Sequence, residues 1–143
     1  MTPARRRTYG RFPTTADVGI RATGGTVGEL FEGLGLGLFA LMTDLRKVRP
    51  REQRSVSASG SDLEQLTVAY LTQLLLLEQE EGFLVREIRA RAVGHPPTSI
   101  LAAVQGEPFD AARHPRRVEV KAITMHRLEV DLVDRRARVI VDI

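Results

Sequence analysis

Apolar residues recur along this chain with two different periods, helical in the first half and alternating in the second. Val18, Ile20 and Ala22 alternate with Gly19 and Arg21, which predicts a short strand ending at Gly24-Gly25. Thr26-x-x-Glu29 then forms a capping box, in which side chains satisfy backbone N–H groups left unpaired at a helix start. Val27, Leu30, Phe31, Leu34, Leu38, Leu41, Met42 and Leu45 follow at three- and four-residue spacing, one stripe on a helix of about five turns. Gly33, Gly35 and Gly37 interrupt that stripe and each weakens a helix by about 1 kcal/mol relative to Ala. Close packing on a sheet would account for them. Beyond Pro50, residues 53–59 alternate as a strand with Val56 and Ala58 on one face. Ser61-Asp62-Leu63-Glu64 reads as a second capping box, opening a helix with the stripe Leu63, Leu66, Tyr70, Leu74 and Leu77 that ends before Gly82. The run from Leu74 to Leu77 points to cover on more than one side.

After Gly82 the period becomes two. Phe83–Ala90 and Ile100–Gln105 read as strands, 108–115 as an irregular connection, and Val118–Thr124 and Leu128–Val133 as a further strand pair. Asp134 to Arg136 reads as a hairpin turn before a last strand, Ala137–Ile143. Helices early and strands late predict an α+β fold of two layers, with two helices packed on one face of a largely antiparallel mixed sheet. Residues 1–10 read as a flexible basic tail, and 11–143 as a single domain.

Composition narrows the function classes. A chain of 143 residues, 43% hydrophobic and 27% charged, builds an ordinary core. It contains no cysteine, which removes disulfides, thiolate metal sites and cysteine nucleophiles. No run approaches the ~18 apolar residues of a membrane span. Arg5, Arg6 and Arg7 are followed by Thr8-Tyr9-Gly10-Arg11 rather than an apolar signal core, so the expected location is the cytoplasm. The net charge is only +3 despite 21 Lys and Arg residues, because acids are interspersed. Such a surface falls short of the clustered charge of a nucleic-acid footprint.

Motifs for phosphate loops, dinucleotide binding, zinc proteases and EF-hands are absent. Gly33-Leu-Gly-Leu-Gly37 lies inside the apolar stripe instead of between a strand and a helix. His95 and His114 each precede proline and read as solvated loop residues. His126, between two strands, is open to two readings, a structural residue or one orienting a neighbouring carboxylate. Two acids stand out by position: Asp17 at the start of the first strand and Asp142 next to Ile143. If the last strand lay beside the first, Asp17, Asp142 and the main-chain oxygens of Ile143 would gather hard oxygen donors. Such a cluster repels itself unless a cation or proton intervenes, and it favours Ca²⁺ or Mg²⁺ over zinc.

The same residues carry a resemblance. Thr15-Ala16-Asp17-Val18-Gly19 resembles the Thr-Ala-Asp-x-Gly signature of the archease family. Gly37-Leu38-Phe39 with Leu41-Met42-Thr43-Asp44 is similar to that family's first-helix end. Leu71-x-x-Leu74-Leu75 before Glu81-Gly82 is similar to its second helix. Val120-Lys121-Ala122-Ile123-Thr124-x-His126-x-Leu128 and the closing Val141-Asp142-Ile143 are similar to its last strands. The resemblance runs from Phe12 to Ile143 in order. It implies a small, non-enzymatic α+β protein that binds a divalent cation, typically Ca²⁺, through Asp17, Asp142 and Ile143. Thr14, Lys121 and His126 would surround that site. It also implies a partner, the GTP-dependent RNA-splicing ligase, whose guanylylation and repeated turnover the family promotes, and through it tRNA and other RNA. Two departures touch the site: Thr14 stands where members usually carry His, and Met125 where they commonly carry Tyr.

Two other classes compete with this expectation. One is a basic RNA-binding module delivering RNA ends through Arg5, Arg6, Arg7, Arg113, Arg116 and Arg117, although single-strand binders use aromatic platforms and only 5% of this chain is aromatic. The other is a metal-dependent hydrolase, for which only His126 offers a base.

Overall fold

The computed structural model describes residues 7–13 and 17–143. Two strands come first, β1 (Thr8–Pro13) and β2 (Val18–Thr23), followed by helix α1 (Val27–Met42) and a single 3-10 turn at Leu45–Lys47. Strand β3 (Glu52–Ser59) leads into helix α2 (Leu63–Glu81), then β4 (Phe83–Val93) and β5 (Ser99–Pro108). The short β6 (Ala122–Ile123) and β7 (Glu129–Asp131) precede the last strand, β8 (Arg136–Asp142).

Local signals set the helix ends. The Thr26 hydroxyl accepts the Glu29 N–H at 3.1 Å, as the first capping box requires. At α2 the cap is Asp62, one residue later than Ser61: its carboxylate accepts the Gln65 N–H at 2.7 Å, and the Ser61 hydroxyl instead bonds the Gln65 side chain. A carboxylate next to the positive end of a helix is the stronger acceptor of the two. Gly82 ends α2 with φ +65°, a conformation that costs other residues a Cβ clash.

Helix α1 is buried on nearly every side; from Glu29 to Met42 only Ala40 escapes. A helix without a wet face needs cover on opposite flanks, and this decides the architecture. Among the described residues the strands form two sheets, one of five strands in the order β1-β2-β8-β6 with β7 also paired to β8, and one of three in the order β3-β5-β4. Every pairing is antiparallel. The α+β class with two helices and antiparallel strands holds, whereas the one mixed sheet of the sequence pattern is replaced by two. Both helices lie on one face of the three-stranded sheet, α1 mainly over β4 and α2 over β3, and the five-stranded sheet closes the other flank of α1. The helix glycines allow this. A Cβ on Gly33 would stand 2.8 Å from the Thr8 carbonyl oxygen of β1, and one on Gly37 would stand 2.6 Å from Ile20. On the opposite flank, one on Gly35 would meet Ile88 and Leu74.

Buried Glu32 ties the layers together. Its carboxylate accepts from Arg7 at 2.9 Å, just ahead of β1, and from the Ala90 N–H of β4 at 2.9 Å. β4 is an edge strand, so that amide has no ladder partner on its outer side and the helix acid supplies one.

Two expectations change. Thr8, Tyr9 and Gly10 belong to β1, paired with Thr23, Ala22 and Arg21, rather than to a tail; residues 1–6 lie outside the described residues. Of Val118–Thr124 only Ala122–Ile123 forms a strand. The reason is competition for donors: the Arg117 and Val118 N–H groups bond the Met42 and Leu41 carbonyls at 3.0 and 2.9 Å. Those carbonyls belong to the last turn of α1 and have no partner inside the helix. Among the described residues, no helix is long and apolar enough to cross a membrane.

Candidate metal centre at the ends of β2 and β8

β2 and β8 run antiparallel with Val18 opposite Val141. One step further, that register sets Asp17 against Asp142. Val18 and Val141 are buried toward α1, so side-chain alternation turns the two acids to the outer face. Asp17 is half-buried and Asp142 exposed. Directly opposed residues of an antiparallel pair stand about 5 Å apart at Cα, close enough for two carboxylates to share a cation. β6 flanks the other side of β8: Ala122 pairs with Asp142, and the Lys121 N–H donates to the Asp142 carbonyl at 2.7 Å. Thr124 fixes this edge twice, donating its N–H at 3.1 Å and its hydroxyl at 2.8 Å to the Ile140 carbonyl.

The register thus aligns Asp17 with Asp142, next to Ile143; Lys121 meets this edge through its backbone N–H alone, and its side chain lines a separate cleft with Met42, Glu78 and Gln79. Thr14 lies outside the described residues. His126 sits in an exposed turn, further along β6 in the direction away from Asp142. Among the described residues, no group of three or more His, Cys, Asp and Glu side chains gathers that could hold a metal. The candidate centre is two carboxylates and the main-chain oxygens of Ile143. The Asp142 carboxylate makes no hydrogen bond or ion pair with any described residue and is free to ligate. The donor set is all hard oxygen, which fits Ca²⁺ or Mg²⁺.

The chain reaches this edge through residues 109–121, whose anchor the sequence pattern missed. His114 is not a solvated loop residue: it is 2% exposed, and its Nε2 lies 2.9 Å from Glu107, itself 2% exposed on β5. The Asp110 N–H donates to His114 Nδ1 at 2.9 Å, so Nδ1 carries no proton and the Nε2–H donates to Glu107. Glu107 also accepts from both Arg113 terminal nitrogens, at 3.0 and 2.6 Å, and from the Arg49 N–H at 2.7 Å. Arg113 above all, then the Arg49 amide and His114, hold the Glu107 carboxyl at about 2 against the opposing effect of burial. The only advance signal for this cluster was a lone acid, Glu107, at the end of an apolar strand. His95 is exposed, as expected. Of the arginines of the competing RNA-binding reading, Arg5 and Arg6 lie outside the described residues; Arg7 bonds Glu32, Arg113 bonds Glu107, Arg116 stacks 3.9 Å over Phe109, and Arg117 lies 3.7 Å from Asp44.

The model of the Archease protein family (MTH1598/TM1083) matches residues 9–143. The chain belongs to the archease family. Among relatives, it is similar to Protein archease of Thermococcus gammatolerans, 39% identical over 126 residues that cover 87% of this chain and 89% of that one. It is also similar to Protein archease of Methanosarcina mazei, 36% identical over 148 residues and 99% of each chain. Among solved structures, the solution structure of Methanobacterium thermoautotrophicum protein 1598 superposes with a TM-score of 0.74 at 30% identity, covering 94% of this chain and 98% of that one. The two-helix, antiparallel α+β architecture is therefore that of a solved archease-like fold.

Proposed function

We propose that this chain is a non-catalytic activator of the GTP-dependent ligase of tRNA splicing and RNA repair, acting through a divalent cation, Ca²⁺ in the first instance, at Asp17, Asp142 and Ile143. The observation carrying this reading is the β2–β8 register, which opposes the signature Asp17 and Asp142 on an open face in a chain of the archease family. Two carboxylates and a main-chain group leave unfilled several of the 6–8 oxygen positions that Ca²⁺ takes. A bound cation there would supply positive charge and open ligand positions at a protein surface. This chain's own part is positional. The β-ladder holds Asp17 and Asp142 in register, Lys121 and Thr124 fix β6 along the adjacent edge, and the exposure of Asp142 leaves the site open to a partner. Activation then requires tighter binding to the guanylylation-competent state of the ligase than to its resting state.

The test couples binding to activity. Calorimetric Ca²⁺ titration of wild type, Asp17→Asn and Asp142→Asn should show one site that either change weakens by tenfold or more. Multiple-turnover ligation by the cognate ligase should be stimulated by wild type and not by either variant. Stimulation that survives loss of the cation would remove the metal from the mechanism. No stimulation by the folded wild type would remove the activator role.

A further inference from the structure

The outer face of the five-stranded sheet carries a groove that the metal-site reading does not use. Arg21 of β2 and Arg138 of β8 are direct cross-strand partners, with Gly10 of β1 beyond Arg21. One row along, away from Asp142, Thr8, Thr23 and Arg136 align in the same way. Thr8, Arg21, Thr23, Arg136 and Arg138 line an open groove of about 630 Å³, bounded on the β7 side by Glu129 and Asp131. Like charges placed directly opposite each other destabilise a sheet; Glu129 of β7, opposite Arg138 on its other side, offsets part of that repulsion, whereas Arg21 faces no acid across the ladder. Arg21 makes no hydrogen bond or ion pair with any described residue, and its side chain runs over Gly10, where a Cβ would come within 3.5 Å of Nε. Arg138 turns toward the metal end, its guanidinium 4.4 Å above the Phe12 ring. Of the two bounding acids, Glu129 is the cross-strand partner of Arg138 and Asp131 that of Arg136; Asp131 is also engaged by its own turn, accepting the Val133 and Asp134 N–H groups at 2.9 and 3.1 Å, and Arg136 lies 3.7 Å from Asp134.

We propose that this groove binds the backbone of single-stranded RNA, with Arg21, Arg138 and Arg136 on successive phosphates. The guanidinium fork matches phosphate oxygens in a way an ammonium does not. Residues two apart on a strand are about 7 Å from one another, a repeat suited to neighbouring phosphates of an extended strand. The guanidinium of Arg138, already backed by Phe12, offers a plane on which a base stacks. Following β8 from Arg136 through Arg138 and Ile140 leads to Asp142, so RNA lying in the groove points its end at the candidate metal centre. The choice of RNA over other polyanions rests on the ligase-activator reading; the anion site itself does not.

The experiment is anisotropy of a short fluorescent single-stranded RNA with the full chain and no ligase, over a range of salt. The variants are Arg21→Gln/Arg138→Gln and, as a control with the same charge change, Arg89→Gln/Arg91→Gln on the outer face of the other sheet. Three phosphate contacts predict a slope of log affinity against log salt of about −2 for wild type. The groove variant should flatten it by about 1.4 and bind roughly 25-fold more weakly at about 0.1 M salt. The control should change neither by a comparable amount, and circular dichroism should show all three proteins folded at the temperature of the binding assay. Absence of wild-type binding at low salt, equal losses in both variants, or an unchanged groove variant would each overturn the proposal. Displacement of RNA by polyglutamate at equal charge would overturn the assignment to RNA. Because no ligase is present, failed ligation with intact RNA binding counts against the activator role alone, and the converse counts against the groove alone.

Discussion

Replacing Glu107 with Gln tests whether the buried carboxylate beneath the 109–121 segment stabilises the fold in the way its geometry implies. All four groups that reach it are donors: the Arg49 N–H, two Arg113 nitrogens and the His114 Nε2–H. Three of them converge on Oε2, and the Arg113 Nη2 alone meets Oε1, at 2.6 Å. Gln keeps the three by placing its oxygen at the Oε2 position, which turns its NH₂ onto Arg113. One hydrogen bond becomes a donor–donor contact, and the others lose their charge. Charge-assisted bonds contribute about 1.5–3 kcal/mol each, and stranding one partner of a buried pair costs about 3–5. Arg113 remains 29% exposed and partly hydrated, so the expected loss is about 2–4 kcal/mol. At this chain length that corresponds to a fall of about 7–13 °C in unfolding temperature, read by far-ultraviolet circular dichroism at neutral pH. Acid should erase the difference. The Glu107 carboxyl is held at about 2 in the fold against an ordinary 4.5, so its contribution is complete above about 4.5 and lost as pH falls toward 2. The gap between wild type and variant should therefore be constant near neutrality and close between those two values. A fall of less than about 1 kcal/mol, or a gap that persists or widens in acid, would refute the reasoning.

Two further substitutions probe the central helix. Gly33→Ala gains up to about 1 kcal/mol of helix propensity but sets a Cβ 2.8 Å from the Thr8 carbonyl oxygen and 3.2 Å from the Ala22 Cβ. Backbone cannot rotate aside, so urea unfolding should show a net loss of about 1–2 kcal/mol; a stabilised variant would mean the five-stranded sheet sits less tightly on α1. Tyr70→Phe removes the buried hydroxyl that donates to the Phe31 carbonyl at 2.9 Å while keeping the edge-to-face ring contact with Phe31. It should cost about 1 kcal/mol in the same assay, and a loss above about 3 would mean the ring has repacked as well.

What the sequence disclosed follows the reach of each signal. Helix starts at Thr26 and Asp62, and the stop at Gly82, depend on groups within a few residues, and all were legible to within one position. β1 was hidden because Tyr9 and Phe12, three apart, break the strand period; pairing with β2 makes it a strand. The division into two sheets was hidden because alternation tells which face of a strand is apolar but not which sheet the strand joins. The glycines and unbroken burial of α1 contained that information in a form usable only once both flanks were seen. His114 was misread for a similar reason: a proline neighbour is local, whereas the carboxylate that buries it comes from β5.

The candidate metal centre lies at the far end of this scale. Asp17 and Asp142 are separated by almost the whole chain, and no spacing rule connects them. Their juxtaposition depends on the β2–β8 register, and in an antiparallel sheet a shift of one residue turns every side chain to the other face. That register is strongly specified, because Ile20 and Val139 are paired and wholly buried against α1. A slip would carry these apolar residues outward and turn Arg21 and Arg138 into the core. The hydrophobic core therefore sets which acids stand opposite each other, although both lie on the outer face of the sheet. The outer face pays no such packing cost and is free to carry charge. There the sheet sets Arg21 against Arg138 at one place and Asp17 against Asp142 at another, with Glu129 of β7 offsetting part of the first pair. The two proposals meet on this face: a ligand that serves both would present phosphate to Arg21 and Arg138 and carry a cation to Asp142, the chemistry of an RNA end accompanied by its metal ion.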